Sequence, residues 1–141
     1  MPNEAYAGDV SSTDAWNILR DDPDAALIDV RTDAEFSYVG VPDLSSLCKE
    51  PLFISWKLFP TMEINRAFAE HLLQHELDRD TQLLFICRSG VRSKSAAQEM
   101  TAKGFTRCFN ISEGFEGDAD RSKHRGTIDG WKVAGLPWVQ G

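Results

Sequence analysis

Short apolar runs alternate along the chain with stretches of helical periodicity, the pattern of a parallel sheet flanked by helices. Ser11-Ser12-Thr13-Asp14 offers an N-cap before Ala15, Trp16, Ile18 and Leu19, whose spacing makes one apolar helical face ended by Asp21-Asp22-Pro23. Residues Ala26 to Val30 predict a strand, and Leu52 to Trp56 predict a second. From Glu63 to Leu77 the periodicity predicts a long helix, with Ile64, Phe68, Leu72 and Leu73 on one side. The run Gln82-Leu83-Leu84-Phe85-Ile86 is continuously apolar, as expected of a central parallel strand buried on both faces. Val91 to Lys103 predicts a helix closed by Gly104, and Arg107 to Ile111 one more short strand. No internal repeat or low-complexity linker interrupts the pattern, so residues 1–141 read as a single domain.

Composition agrees with one well-packed core. With 141 residues, 42% hydrophobic and 10% aromatic, such a chain buries roughly two thirds of its unfolded surface. No stretch approaches the ~18 apolar residues of a membrane span, and Met1-Pro2-Asn3-Glu4 lacks the basic-then-apolar profile of a secretory signal. The expectation is a soluble, cytoplasmic protein. Fifteen basic against 22 acidic residues give a net charge of -7, which argues against nucleic acid and against an anionic membrane as partners. An anionic substrate would have to find local positive charge.

Three cysteines, Cys48, Cys87 and Cys108, are an odd number without CxxC or metal-finger spacing. That fits reduced thiols in a reducing compartment, with at least one free to react. The chemistry concentrates where the central strand meets the next helix, at Cys87-Arg88-Ser89-Gly90-Val91-Arg92-Ser93. In an open parallel α/β sheet, ligands bind beyond the carboxyl ends of the strands, and Cys87 lies at such an end. The following backbone N–H groups and the positive end of the helix dipole can form an anion-holding nest. A free cysteine is only a few per cent thiolate at neutral pH, and helix N-termini and nearby arginines raise that fraction. Arg88 and Arg92 supply such charge. The alternative, a small inert residue ending a strand, is common for an isolated cysteine, but two Arg, a Ser and a Gly in one tight turn weigh against it.

On these residues the sequence resembles the rhodanese family of sulfurtransferases. Asp29-Val30-Arg31 with Glu35 matches the family's first signature, Cys87 to Ser93 its active loop, and Gly130-Trp131 with Gly135-Leu136-Pro137 its C-terminal signature. The resemblance implies an α/β fold of three α/β/α layers around a five-stranded parallel sheet. It implies that Cys87 attacks the outer sulfur of thiosulfate or a similar anionic donor, becomes a persulfide and passes the sulfur to cyanide or a thiol, including one on an acceptor protein. The substrate-binding residues would be Arg88, Ser89, Gly90, Val91, Arg92 and Ser93, with their amides holding the persulfide and Arg88 and Arg92 facing the entrance. Thiosulfate is favoured over mercaptopyruvate, because mercaptopyruvate-using relatives have a less charged loop. The resemblance also implies a structural role for Asp29 and Arg31, with Arg31 and Glu35 paired. No cofactor or metal is implied. Where many family members carry Gly-His-Ile and Gly-Ala, this chain has Tyr38 to Leu44, and the following path does not carry over.

Two other readings compete. Cysteine phosphatases and arsenate reductases also place a thiolate and an arginine between strand and helix, but they resemble one another in Cys, five residues, then Arg. Here Arg92 follows Cys87 after four, and Ser93 takes the phosphatase position; the shorter loop suits a sulfane sulfur better than a tetrahedral phosphate. A binding module that has lost its chemistry is the other alternative, and the presence of Cys87 speaks against it; a sulfur-delivery protein with a protein acceptor is a milder form. His71 and His75 lie four apart on one predicted helix but have no third ligand in the pattern. Trp131 and Trp138 are expected to cap a core. Cys108, inside a strand pattern, is expected to be inert, whereas Cys48 sits in a loop of open path. Finally, the polar stretch from Asp118 to Asp129 leaves the last strand on the side of Cys87, which would bring Arg121, Lys123 and Arg125 to the active mouth unless it is only a solvated loop.

Overall fold

Leu83 to Ile86 are buried along their whole length, and their side chains leave the strand on alternate faces. Leu83 and Phe85 pack into one core with Ile28, Phe68, Leu72, Ala97 and Met100. Leu84 and Ile86 pack into another with Ala15, Leu19, Leu27, Phe115 and Trp131. A sheet with a core on each face is the middle of a three-layer α/β/α structure.

The computed structural model describes residues 5–140; Met1 to Glu4, considered above for a secretory signal, lie outside them. In chain order the elements are β1 (Gly8–Val10), α1 (Ser12–Asp21), β2 (Ala26–Asp29), α2 (Asp33–Tyr38), β3 (Val41–Pro42), β4 (Leu52–Phe53), β5 (Lys57–Leu58), β6 (Glu63–Ile64), α3 (Phe68–Leu73), β7 (Leu83–Ile86), α4 (Val91–Ala102), β8 (Cys108–Ile111) and β9 (Trp138–Val139). The central sheet has five strands in the order β1-β8-β7-β2-β4, all parallel. This is the rhodanese-like α/β arrangement that the resemblance implied, with β7 in the middle. β3 and β9 form a small antiparallel pair, and β5 and β6 form a hairpin. No helix among the described residues is long and apolar enough to cross a membrane.

The helix predicted from Glu63 to Leu77 is the largest departure from the periodic reading. Glu63 and Ile64 pair with β5 instead, and the Asn65 side chain then breaks the register: its Nδ2 donates to the Ser55 carbonyl at 3.0 Å and its Oδ1 accepts from Ala67 N–H at 3.1 Å. Side-chain bonds of this kind offer the backbone an alternative to helix. α3 therefore starts at Phe68 and ends at Leu73, and Glu76 adopts a left-handed conformation that no helix continues through (φ 55°). Phe68 and Leu72 remain in the core, while Ile64 is exposed. Similarly, of the strand predicted over Leu52 to Trp56 only β4 is regular strand, although Ile54 and Trp56 N–H still reach the Asp29 and Val30 carbonyls at 3.1 and 3.0 Å, and the Ser55 hydroxyl donates to the Arg31 carbonyl at 2.8 Å. Trp131 is fully buried and donates to the Pro137 carbonyl at 2.8 Å, as a core cap should; Trp138 is 38% exposed.

Candidate active site

Cys87 is the first residue beyond β7, at the carboxyl end of the central strand, and only 1% of its surface is exposed. Gly90 caps α4 in a left-handed conformation (φ 99°), and a side chain there would run into the Ser112 carbonyl. The segment after β8 supports the turn: Phe115 N–H donates to the Cys87 carbonyl at 2.8 Å, and Glu116 and Gly117 N–H donate to the Arg88 carbonyl at 3.0 and 3.1 Å. Gly114 (φ 72°) is needed in that segment, because a Cβ would overlap the Arg88 carbonyl. With its carbonyls engaged in this way, the turn brings Gly90 N–H to the Cys87 sulfur at 3.1 Å.

Ser93, fully buried in the first turn of α4, places its Oγ 3.2 Å from Cys87 Sγ. That hydroxyl also donates to Asn110 Oδ1 on β8 at 2.6 Å. The sulfur thus has one backbone donor and one hydroxyl beside it, an arrangement able to hold a sulfur anion. A cleft of about 590 Å³ opens over it, lined among others by Glu35, Lys57, Met62, Arg88, Arg92 and Arg125. Ser89 and Val91 line it too, so of the predicted loop residues only Gly90 and Ser93 lie beneath the surface, both in contact with the sulfur.

The charges are distributed differently from expectation. Arg92 does not face the entrance as a free cation; its guanidinium meets the Glu35 carboxylate at 2.6 and 3.0 Å. Burial pushes the Glu35 carboxyl up, but Arg92 and the Thr32 hydrogen bonds outweigh it and hold it below the usual range. The implied pair of Arg31 with Glu35 is absent. Arg31, fully buried just beyond β2, binds Asp29 at the end of that strand at 2.7 and 2.9 Å and the Gly40 carbonyl at 2.7 Å, and its guanidinium lies 4.3 Å from the Phe115 ring centre. Glu35, held at the start of α2 by a capping box with Thr32, turns to α4 instead. Both pairs put Asp29 and Arg31 among the supports of the site rather than in its cleft.

Arg88, Lys57 and Arg125 are the cleft cations that form no ion pair among the described residues. Of the loop from Asp118 to Asp129, Arg125 reaches the cleft, while Arg121 and Lys123 are exposed and do not line it. Asp120 folds that loop on itself, accepting from Ser122 and His124 N–H and the Thr127 hydroxyl. Cys48 is exposed. Cys108 is buried, and burial pushes its thiol up to about 11. His71 and His75 are exposed, and among the described residues no three His, Cys, Asp or Glu converge as metal ligands. Sequence reasoning missed Asn110, Lys57 and Met62. Only Asn110 left a signal, as an amide inside an otherwise apolar strand.

Comparison with known proteins agrees with this fold. The chain is similar to Rv0390 from M. tuberculosis, whose crystal structure matches with a TM-score of 0.89 at 44% identity over 97% of this chain and 100% of that one. It is 39% identical over 130 residues to an uncharacterized protein of Rickettsia rickettsii, the RP600 homolog, covering 92% of this chain and 94% of the relative. It is also 25% identical over 129 residues to the thiosulfate sulfurtransferase GlpE of Actinobacillus pleuropneumoniae, covering 92% and 90%. Residues 7–141 match the family described as the STR4 middle domain, and the chain belongs to that family, within the rhodanese-like proteins.

Proposed function

We propose that this protein is a sulfurtransferase that carries sulfane sulfur on Cys87. The observation that carries the reading is the buried Cys87 sulfur, which takes Gly90 N–H at 3.1 Å under a cleft with three cations that form no ion pair among the described residues. The Cys87 thiolate attacks the outer sulfur of thiosulfate; the new S–S bond forms as the old one breaks, and sulfite leaves with the bonding pair. Cyanide or a thiolate then attacks the outer sulfur of the persulfide, so that thiocyanate or a new persulfide departs and the Cys87 thiolate returns. No net redox change and no cofactor is required. The Gly90 N–H and the Ser93 hydroxyl at the helix start offset negative charge on the sulfur.

Mass spectrometry after exposure to thiosulfate tests the reading directly. Cys87 is expected to gain one sulfur and to lose it on addition of cyanide with release of thiocyanate; an unmodified Cys87 in folded protein would sink the proposal and leave a binding module. Cys87→Ser is the control, since a hydroxyl at the same place is a poor nucleophile at neutral pH.

A further inference from the structure

Gly90 and Ser93, whose N–H and hydroxyl touch the Cys87 sulfur, are both bonded by one side chain that does not touch it, through the Gly90 carbonyl and the Ser93 hydroxyl. Asn110 lies on β8 beside Phe85 of β7 and Asp9 of β1, 3% exposed. Its Nδ2 donates to the Gly90 carbonyl at 3.2 Å and to Asp9 Oδ1 at 3.1 Å, and its Oδ1 accepts the Ser93 hydroxyl at 2.6 Å. Two acceptors on the nitrogen and a hydroxyl on the oxygen leave the carboxamide one orientation.

The proton count is what gives this arrangement a consequence. A serine hydroxyl has one proton. While Ser93 gives it to Asn110, Ser93 Oγ can only accept from Cys87, an arrangement suited to a protonated thiol. A thiolate already takes Gly90 N–H but is repelled by the lone pairs of a Ser93 Oγ 3.2 Å away, so its formation favours turning the Ser93 proton from Asn110 to the sulfur, which leaves a buried carbonyl without a donor, an unfavourable exchange. Once the sulfur is neutral again, as a thiol or as the inner sulfur of a persulfide, the proton can return to Asn110.

We propose that Asn110 is a positioning residue for Cys87: its carboxamide fixes Gly90 and competes with the sulfur for the Ser93 proton, so that it sets how readily the thiolate forms. The proposal rests on Cys87 being the reacting group, but its tests do not require sulfur transfer, so the two can fail separately.

The first test uses the unaltered protein. Carbon-13 NMR across pH should show the Asn110 Cγ shift changing with the same midpoint as Cys87 Cβ, and the Asn110 signal should stay flat over that range in Ser93→Ala. An Asn110 signal that ignores Cys87 ionisation in the unaltered chain would overturn the proposal. The second test follows the pH dependence of Cys87 alkylation by iodoacetamide, read peptide by peptide. Asn110→Leu keeps the shape but takes no proton from Ser93, so the midpoint should move down by about one pH unit, tenfold in proton activity. In the Ser93→Ala background the same substitution should move it by less than half as much. An undiminished shift there would mean that the substitution acts without the Ser93 proton, and the positioning role would be lost.

Discussion

Arg92 and Glu35, 57 positions apart in the chain, meet through two charge-assisted hydrogen bonds at 2.6 and 3.0 Å and so tie the first turn of α4 to the first turn of α2 at the rim of the cleft. The pair is largely shielded, with 14% and 19% of the two side chains exposed. It therefore belongs between a surface ion pair, worth under about 1 kcal/mol, and a buried one, whose disruption costs about 3–5 kcal/mol.

Glu35→Ala should destabilise the fold by about 1–3 kcal/mol, since it removes both the ion pair and the return half of the Thr32 capping box. The pH dependence has a definite sign. The Glu35 carboxyl is held below its usual value in the folded protein, so its contribution is full above the unfolded value and fades as pH falls through the folded one. Urea unfolding followed from neutral pH downward should show that loss in the unaltered protein and a shallower one in Glu35→Gln. Parallel curves would mean that the pair contributes nothing measurable.

The outcome also shows what the linear sequence can and cannot express. The continuous apolar run ending at Cys87 announces a strand buried on both faces, and the tight turn behind it is where the structure brings Gly90 N–H to the sulfur. β1 was invisible, since three residues with a solvent-exposed Asp9 between Gly8 and Val10 form no apolar signal. Ile64 fitted a helical face by spacing but was captured by the hairpin, because Asn65 had a carbonyl at Ser55 to bind. Pairing was the least legible. Whether Glu35 would meet Arg31, four positions away, or Arg92, 57 away, depends on where α4 lands, and only the folded chain fixes that.

Arg31 and Asp29 make the opposite kind of pair, with neither side chain exposed. Nη1 of Arg31 has no hydrogen-bond partner among the described residues, so the guanidinium leans on Asp29, the Gly40 carbonyl and the Phe115 ring. Asp29→Asn removes the one carboxylate bound to it among the described residues and leaves a buried cation, at a cost of about 3–5 kcal/mol. Thermal and urea unfolding should both register it. A variant within about 0.5 kcal/mol of the parent would imply that the guanidinium finds another anion or reaches water.

Two of the three thiols, Cys48 and Cys108, should separate cleanly under alkylation of the folded protein near pH 8. Cys48 is exposed and should label, and Cys108 should not, because it is buried and burial raises its thiol to about 11. Labelling depends on the thiolate and on access, so Cys108 should react only after denaturant is added. Rapid modification of Cys108 in the folded state would show that β8 opens readily, which the packing of its neighbours in the core speaks against.

The last prediction concerns the cations of the cleft. In a protein of net charge -7, an approaching thiosulfate dianion is repelled at long range, and only positive groups near the sulfur can reverse that locally. Arg88, Lys57 and Arg125 line the cleft without ion-pair partners among the described residues, whereas the charge of Arg92 is compensated by Glu35 and those of Arg121 and Lys123 lie outside the lining. Neutral replacements should follow that division. Arg88→Gln, Lys57→Gln and Arg125→Gln should each lower kcat/KM for thiosulfate by about threefold to tenfold and flatten its decline with added salt. Arg121→Gln and Lys123→Gln should change it by less than about twofold. With an uncharged trisulfide as donor the first three variants should approach the parent rate, because the field acts on the donor's charge and the Gly90 N–H and Ser93 Oγ beside the sulfur are untouched. Equal losses for the charged and uncharged donors would place these residues in the support of the loop rather than in attraction of the anion.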